Sequence, residues 1–149
     1  MTPPTSIQWV QQEDAMGCGI ACVAMIAGIS YQSVAVMVSQ PIRQQGMTHY
    51  TVMDLLHRFA IPYQFLWRTD QLRQAQRNPW PPLPFANAHI VQVDNHYIVW
   101  TLDNKILDPA RPIPLPLDAY ETPRSILGCW PISQKSNTST QRVDNGSLA

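Results

Sequence analysis

The stretch that most constrains this chain is residues 12–27, QEDAMGCGIACVAMIA. A polar approach leads into a Gly-Cys-Gly turn, and the segment after it is apolar on every side at helical spacing. A helix without a polar face has to be buried in the core of a fold. The pattern therefore predicts a central buried helix that begins at Cys18 and ends before Gly28.

Cys18 occupies a special position at the start of that helix. The first helical turn leaves N–H groups unpaired, and the helix dipole places about half a positive charge there. Both effects favour the thiolate, which is the nucleophilic form of cysteine. Gly17 and Gly19 let the backbone turn sharply and leave the sulfur uncovered. We therefore treat Cys18 as a candidate nucleophile.

Composition excludes several classes of function. The 149 residues fit one domain, with 13% charged residues, a net charge of zero and no basic stripe, so we expect no nucleic-acid partner. No apolar run approaches the roughly 20 residues of a membrane span, and the N-terminus lacks the order of a secretory signal. The odd count of three cysteines favours a reducing, cytoplasmic site of synthesis. Cys18 and Cys22 lack the spacing of ordinary zinc ligands, and we expect no metal and no cofactor.

Local patterns predict an α+β fold, with helices first and strands later. The predicted helices are the buried one, a second that Ser30 caps and Pro41 ends, a third that Thr48 caps and Ile61-Pro62 ends, and a short fourth over 69–76. Residues 63–67 alternate as a short strand. Residues 88–93, 96–102 and 105–107 predict a three-strand antiparallel meander. Residues 1–132 form the expected domain, proline-rich segments at 79–84 and 112–116 are rigid connections, and residues 133–149 form a polar tail.

A base for Cys18 has to come from the four histidines, 49, 57, 89 and 96. A histidine on a strand is more often structural than catalytic, but His96 begins a strand whose hairpin partner leads to Asp108. A regular two-residue loop at 103–104 would place these two side chains on opposite faces of the sheet. A three-residue loop or a bulge would instead make them diagonal neighbours. A Cys18–His96–Asp108 triad therefore predicts an odd loop here.

At these residues the sequence resembles the papain-like cysteine peptidases that remove double-glycine leaders from bacteriocins, usually as the N-terminal domain of an ABC exporter. The resemblance rests on Gln12, on the Cys-Gly-Ile-Ala-Cys run from Cys18, on His96-Tyr-Ile-Val and on Leu-Asp108-Pro, in that order. It covers about residues 7–131. Gly17 departs from the family pattern, which has an aspartate before the nucleophile, and the 78–84 segment is richer in proline than the family's.

The resemblance implies a papain-like fold, Cys18 as nucleophile, His96 as base, Asp108 as the residue that orients the imidazole, and Gln12 as an oxyanion-hole donor. It also implies a peptide substrate with a Gly-Gly site, which requires a narrow channel. Candidate residues for the walls of that channel are Trp9, Met16, Gly17, Tyr97 and Trp100.

Three alternatives remain open from sequence. No transporter sequence follows, so we expect a free-standing domain that either works with a separate exporter or is a protease effector delivered into another bacterium without a Sec signal, with a cognate immunity protein. A degenerate domain that binds a peptide without cutting it is the second alternative. Acyl or amide transfer by the same three side chains is the third.

Overall fold

The computed structural model describes residues 7–67, 86–93, 95–116, 119–120 and 123–131. The expected helix at 69–76, the proline-rich segment at 79–84 and the expected tail at 133–149 lie outside these residues. Among the described residues, no helix combines the length and the apolar character needed to cross a membrane.

The buried helix forms as predicted. α1 spans Cys18–Ala27, and all ten of its residues are buried. Gly28 ends it in the left-handed conformation, with φ of 72°, and donates its N–H to the Ala24 carbonyl. Alanines at every third position let neighbouring elements approach α1 closely, so the helix becomes the centre of the larger core cluster.

Three shorter helices follow α1. They are α2 (Tyr31–Ala35), α3 (Gln40–Gln45) and α4 (His49–Arg58). The predicted caps are present, because Ser30 accepts from the Ser33 N–H and Thr48 accepts from the Thr51 N–H. The prediction that Pro41 ends a helix was wrong. Pro41 lies in the first turn of α3, where a missing N–H costs nothing because that group has no intrahelical partner.

Five antiparallel strands form one sheet. They are β1 (Tyr63–Trp67), β2 (Ala88–Val93), β3 (His96–Thr101), β4 (Ile106–Leu107) and β5 (Pro123–Cys129), in the order β1-β5-β2-β3-β4. The predicted meander of β2, β3 and β4 is confirmed, as is the α+β class. Local pattern did not predict β5, which lies between β1 and β2. Its side chains are buried at six of seven positions, so it lacks the in–out alternation of a half-exposed strand.

The two faces of the sheet carry separate apolar clusters. Tyr97 and Val99 face α1 and belong to the larger core. Their neighbours Ile98 and Trp100 point the other way, into a smaller cluster that includes Val91. This alternation follows from the period of two along a strand. His96, as the first residue of β3, lies at the end of the sheet.

Candidate active site

Cys18 lies at the first position of α1, with Gly17 as its N-cap and 8% of its surface exposed. Gly17 is required by space, because a Cβ there would collide with the Tyr31 hydroxyl. That hydroxyl donates to Asp14 Oδ2 at 2.6 Å, and Arg43 pairs with the same carboxylate at 3.3 Å. Gly17, which departs from the family pattern, therefore leaves room for Tyr31. The Tyr31 hydroxyl in turn holds Asp14, in the segment that leads into Cys18.

The loop between β3 and β4 has three residues, as the triad hypothesis requires. Val99 pairs with Leu107 and Trp100 with Ile106, and the Thr101 N–H donates to the Lys105 carbonyl at 2.9 Å. Asn104 closes the loop in the left-handed conformation with φ of 65°. Continuing the register places Asp108 opposite Ile98, and hence diagonal to His96.

His96 and Asp108 are in direct contact, with His96 Nε2 donating to Asp108 Oδ1 at 2.7 Å. The carboxylate is 3% exposed. Its Oδ1 also accepts the Ala110 N–H at 2.9 Å, and its Oδ2 accepts the Tyr120 hydroxyl at 2.8 Å. Burial by itself would raise the pKa of Asp108, but these hydrogen bonds, the one from His96 foremost, outweigh burial and lower it. Asp108 is therefore a buried carboxylate held in its ionised form.

His96 interacts with both other members of the set. The hydrogen bond to Asp108, and after it the interaction with the Cys18 thiol, raise the pKa of His96 to about 9, against the opposing effect of burial. Because Nε2 is held by Asp108, Nδ1 is the ring nitrogen left to face the sulfur. His96 therefore has a carboxylate on one side and a thiol on the other, which are the two partners that a base in nucleophilic catalysis needs.

The segment before α1 is attached to the turn that carries Asp108. The Gln12 backbone N–H donates to the Pro109 carbonyl at 3.0 Å, and Trp9 Nε1 donates to the Asp108 carbonyl at 2.8 Å. Trp9 is therefore an anchor for the turn, whereas the sequence had suggested it for a channel wall. One backbone hydrogen bond and one from an indole, each across about 100 residues of chain, bring Gln12 next to the turn that carries the carboxylate.

The Gln12 side chain has an unusual arrangement for an oxyanion donor. Its Nε2 donates to the carbonyls of Asp14 and Ala15 at 3.1 and 3.0 Å, so both amide hydrogens are occupied. Its Oε1 is buried and has no hydrogen-bond partner among the described residues. Donation from Gln12 to a substrate oxygen would therefore require the amide to leave one of these two carbonyls.

The channel residues suggested by sequence are not brought together. Met16 is 40% exposed, and its methyl group lies 3.2 Å from where a Cβ of Gly46 would be. Tyr97 is buried against α1, beside Gly19. The placement of Trp100 in the channel was wrong. Its ring is 1% exposed in the cluster on the opposite face of the sheet, and its indole N–H donates to Asn104 Oδ1.

The other histidines have structural surroundings. His89 is fully buried, its Nδ1 donates to the Trp100 carbonyl at 2.8 Å, and its Nε2 accepts the Ala86 N–H at 3.0 Å. Burial lowers the pKa of His89, with the Trp100 carbonyl acting in the opposite direction. On α4, His49 stacks on Phe65 with ring centroids 5.1 Å apart, and His57 lies in the last turn.

The remaining cysteines are inert core residues. All three cysteines of the chain are free thiols. Burial raises the pKa of Cys22 well above its ordinary value, and burial raises the pKa of Cys129 to about 12. Within the described ranges, no cluster of three His, Cys, Asp or Glu side chains has a geometry that could hold a metal ion.

Sequence reasoning missed Tyr120. This residue follows a proline-rich stretch without periodicity, and nothing in the local pattern links it to Asp108, twelve positions earlier. Only the folded chain brings its hydroxyl to the carboxylate.

No known protein-family pattern and no curated protein sequence matches the chain. Several solved structures have a similar fold, and two of them are peptidases from transporters. One is a double-glycine-motif protease from an AMS/PCAT transporter, in complex with the leader peptide: identity is 18%, coverage is 89% of this chain and 96% of that one, and the TM-score is 0.61. The other is the peptidase domain of Streptococcus ComA, a bi-functional ABC transporter involved in a quorum-sensing pathway: identity is 17%, coverage 85% and 100%, and the TM-score 0.56. The chain thus has the papain-like fold that its motifs predicted.

Proposed function

We propose that this protein is a cysteine endopeptidase that cleaves a peptide after a Gly-Gly site. The observation that carries the proposal is the position of His96, which interacts with the Cys18 thiol and with the buried Asp108 carboxylate at the same time. A nucleophile, a base and an orienting carboxylate in contact are the geometric signature of nucleophilic acyl transfer. The similar fold of two peptidase domains supports the same reaction.

The reaction proceeds in two halves. The Cys18 thiolate attacks the scissile carbonyl carbon, and the carbonyl oxygen becomes an oxyanion near the first N–H groups of α1. His96 gives its proton to the leaving amine as the carbon–nitrogen bond breaks, which leaves a thioester on Cys18. Neutral His96 then takes a proton from water, the water oxygen attacks the thioester, and the acid product leaves with the thiol restored. Asp108 stays ionised throughout and holds the imidazole ring.

A preference for glycine is supported by the side chains around the nucleophile. The Met47 methyl group lies 2.7 Å from where a Cβ of Gly19 would be, so methionine fills the space beside Cys18. The partly exposed Met16 covers Gly46 near the same loop. A bulky side chain packed against Gly19, the residue after the nucleophile, favours a substrate whose residues at the cleavage site carry no side chains. The leader peptide bound by the AMS/PCAT protease is the model for such a substrate.

The proposal is tested with peptides that differ only at the cleavage site. A peptide containing Gly-Gly should be cut after the second glycine, as read by mass spectrometry, and an Ala-Ala version should be cut far more slowly. Cys18→Ala should abolish cleavage and leave the circular dichroism spectrum unchanged. Cys22→Ala is the matched control, because it removes a thiol one helical turn further into the core, and it should keep cleavage.

Other outcomes would point elsewhere. Binding of the intact Gly-Gly peptide without cleavage by the unmodified chain would favour a recognition domain. An amide formed with an added amine would indicate transfer in place of hydrolysis. Equal loss of cleavage in Cys18→Ala and Cys22→Ala would argue that both thiols act through the fold, and would contradict the role given to Cys18.

A further inference from the structure

The Tyr120 hydroxyl is held on both sides. It accepts the Leu115 N–H at 3.1 Å and donates to Asp108 Oδ2 at 2.8 Å. Because a hydroxyl has one hydrogen, a backbone donor at the oxygen leaves that hydrogen for the carboxylate. The loop that carries Leu115 thereby fixes the direction in which the tyrosine donates.

Asp108 has two oxygens with different partners. Oδ1 accepts from His96 and from the Ala110 N–H, whereas Oδ2 accepts from Tyr120 and lies 3.6 Å from Arg111 Nε. Arg111 is 48% exposed in its side chain, so water screens its interaction with the carboxylate. The Tyr120 hydroxyl is therefore the short, directed contact that holds the far oxygen.

We infer that Tyr120 is a positioning residue for the reaction, because its hydroxyl fixes the Asp108 carboxylate in the orientation in which Oδ1 holds the His96 ring. The inference rests on the proposed function and assigns a further residue to it. Without the hydroxyl, Oδ2 keeps only the longer contact to the exposed Arg111, and the carboxylate can turn about its bond toward that cation. His96 then loses part of the partner that keeps its ring protonated and aimed at the sulfur.

The groups around the pair leave Asp108 ionised at neutral pH. Cys18 and Cys22 on α1, together with Arg111 and Tyr120, face the His96–Asp108 pair. Burial raises the pKa of Asp108, and the Tyr120 hydrogen bond is one of those that lower it. Removing that bond leaves the carboxylate ionised, so the expected effect on His96 comes from the orientation of the carboxylate and not from a loss of its charge.

The test is Tyr120→Phe, which removes one oxygen and keeps the ring packed against the smaller apolar cluster. Cys18 alkylation by iodoacetamide is measured against pH by mass spectrometry, with Cys18→Ala as the blank. We expect the midpoint of the alkylation curve to move up by about half a pH unit or more. With a Gly-Gly peptide, we expect kcat to fall about 3- to 30-fold while KM changes little, because no contact with the substrate is lost.

A control on the same carboxylate is Arg111→Gln, which removes the longer, exposed contact to Oδ2. Because water screens that contact, this variant should move the alkylation midpoint less than Tyr120→Phe does. A second variant tests the same inference without changing Tyr120. Leu115→Pro removes the N–H that orients the hydroxyl, in an exposed position already followed by a proline, and should move the midpoint in the same direction by less.

Two results would overturn the inference in different ways. An unshifted midpoint in both Tyr120→Phe and Leu115→Pro, with an acidic midpoint in the unmodified chain, would refute the role of Tyr120 and leave the proposed peptidase intact. A midpoint near 8.5 in the unmodified chain, that of an ordinary cysteine, would remove the activated thiol itself, and with it both proposals.

Discussion

Two histidines on one hairpin have opposite chemistry. His89 on β2 and His96 on β3 are seven residues apart. Both ring nitrogens of His89 are hydrogen-bonded, and His96 interacts with Asp108 and with Cys18. His89 bonds to backbone groups inside the core and its ring lies 4.8 Å from that of Trp100, and burial lowers its pKa. His96 lies at the end of the sheet beside a carboxylate and a thiol, which raise its pKa to about 9.

The difference shows that the partners of a histidine decide its role more than its burial does. A backbone carbonyl and an N–H fix one neutral tautomer of His89, so its ring links Ala86 and Trp100 by two hydrogen bonds. A carboxylate favours the charged ring, so His96 can give and take a proton. The predictions below use substitutions that affect one histidine and spare the other.

The largest effect is expected for His96→Ala. Peptide cleavage should fall about a thousandfold or more, because general acid–base catalysis typically contributes 10²- to 10⁴-fold and the ring also sustains the thiolate. The free energy of unfolding should fall as well, because the buried Asp108 carboxylate loses its partner, so the rates are compared on folded protein. The measurement is kcat/KM with a Gly-Gly peptide, alongside urea unfolding. A variant that cleaves at the unmodified rate would exclude His96 as the base.

Asp108→Asn should reduce kcat/KM by about a hundredfold or more, less than loss of the ring itself. The amide cannot stabilise an imidazolium, and its N–H₂ group can force His96 into the wrong tautomer. Arg111→Gln is the control, because it alters the longer, exposed contact to the same carboxylate. If both variants lose the same activity, local charge rather than His96 orientation would be the explanation.

His89→Phe should act on stability. It leaves the Ala86 N–H and the Trp100 carbonyl without the ring as a partner in a buried site, at a cost of about 1–3 kcal/mol per buried group. Urea unfolding measures the loss, and kcat of the folded fraction should stay within about twofold of the unmodified chain. A large loss of kcat at full folding would make His89 part of the reaction.

The smallest effect is a change in pH dependence. His96 has a pKa raised to about 9, so its stabilisation is fully present below its ordinary pKa of about 6.5 and is lost as pH rises through 9. His89 has a lowered pKa, so its contribution is lost as pH falls below about 6.5. Each slope is at most about 1.4 kcal/mol per pH unit for one proton.

His96→Gln should flatten the alkaline decline of the unfolding free energy, and His89→Gln should flatten the acidic one. Urea titrations between pH 5 and pH 9, roughly the interval that brackets an ordinary histidine pKa, measure both. If the two histidines contributed slopes of the same sign to the unfolding free energy as a function of pH, the comparison between them would be contradicted.

Short-range patterns were sufficient for several parts of this protein. The apolar run from Cys18 predicts α1, because a helix apolar on every side is stable only inside a core. Asparagine at 104 tolerates the left-handed conformation that closes the β3–β4 turn, although the sequence left open whether the loop has two or three residues. Cys18 was chosen for its place at the helix start, and His96 and Asp108 for their hairpin and the family resemblance; the folded chain brings the three side chains together.

Other parts depended on contacts between distant segments. β5 enters the sheet between β1 and β2, and it pairs with residues 30 or more positions earlier in the chain. Tyr97 and Trp100 were both assigned to the channel although alternation along β3 places them on opposite faces, and only the packing shows that α1 covers the Tyr97 face. The Tyr120 hydroxyl, the Trp9 anchor and the room that Gly17 leaves for Tyr31 are likewise visible only after folding.

The sequence by itself determined α1, α4, the meander strands and the reactive residue types, since helix burial, caps and turns depend on neighbours a few positions away. The tertiary structure decided which polar atoms hold those residues in place. A hydrogen bond to Asp108 requires a donor within about 3 Å, and the chain supplies it from Tyr120 and from the turn at Ala110 only once the sheet has closed around α1. The spacing of residues along the chain does not predict which side chains come within hydrogen-bond distance of each other.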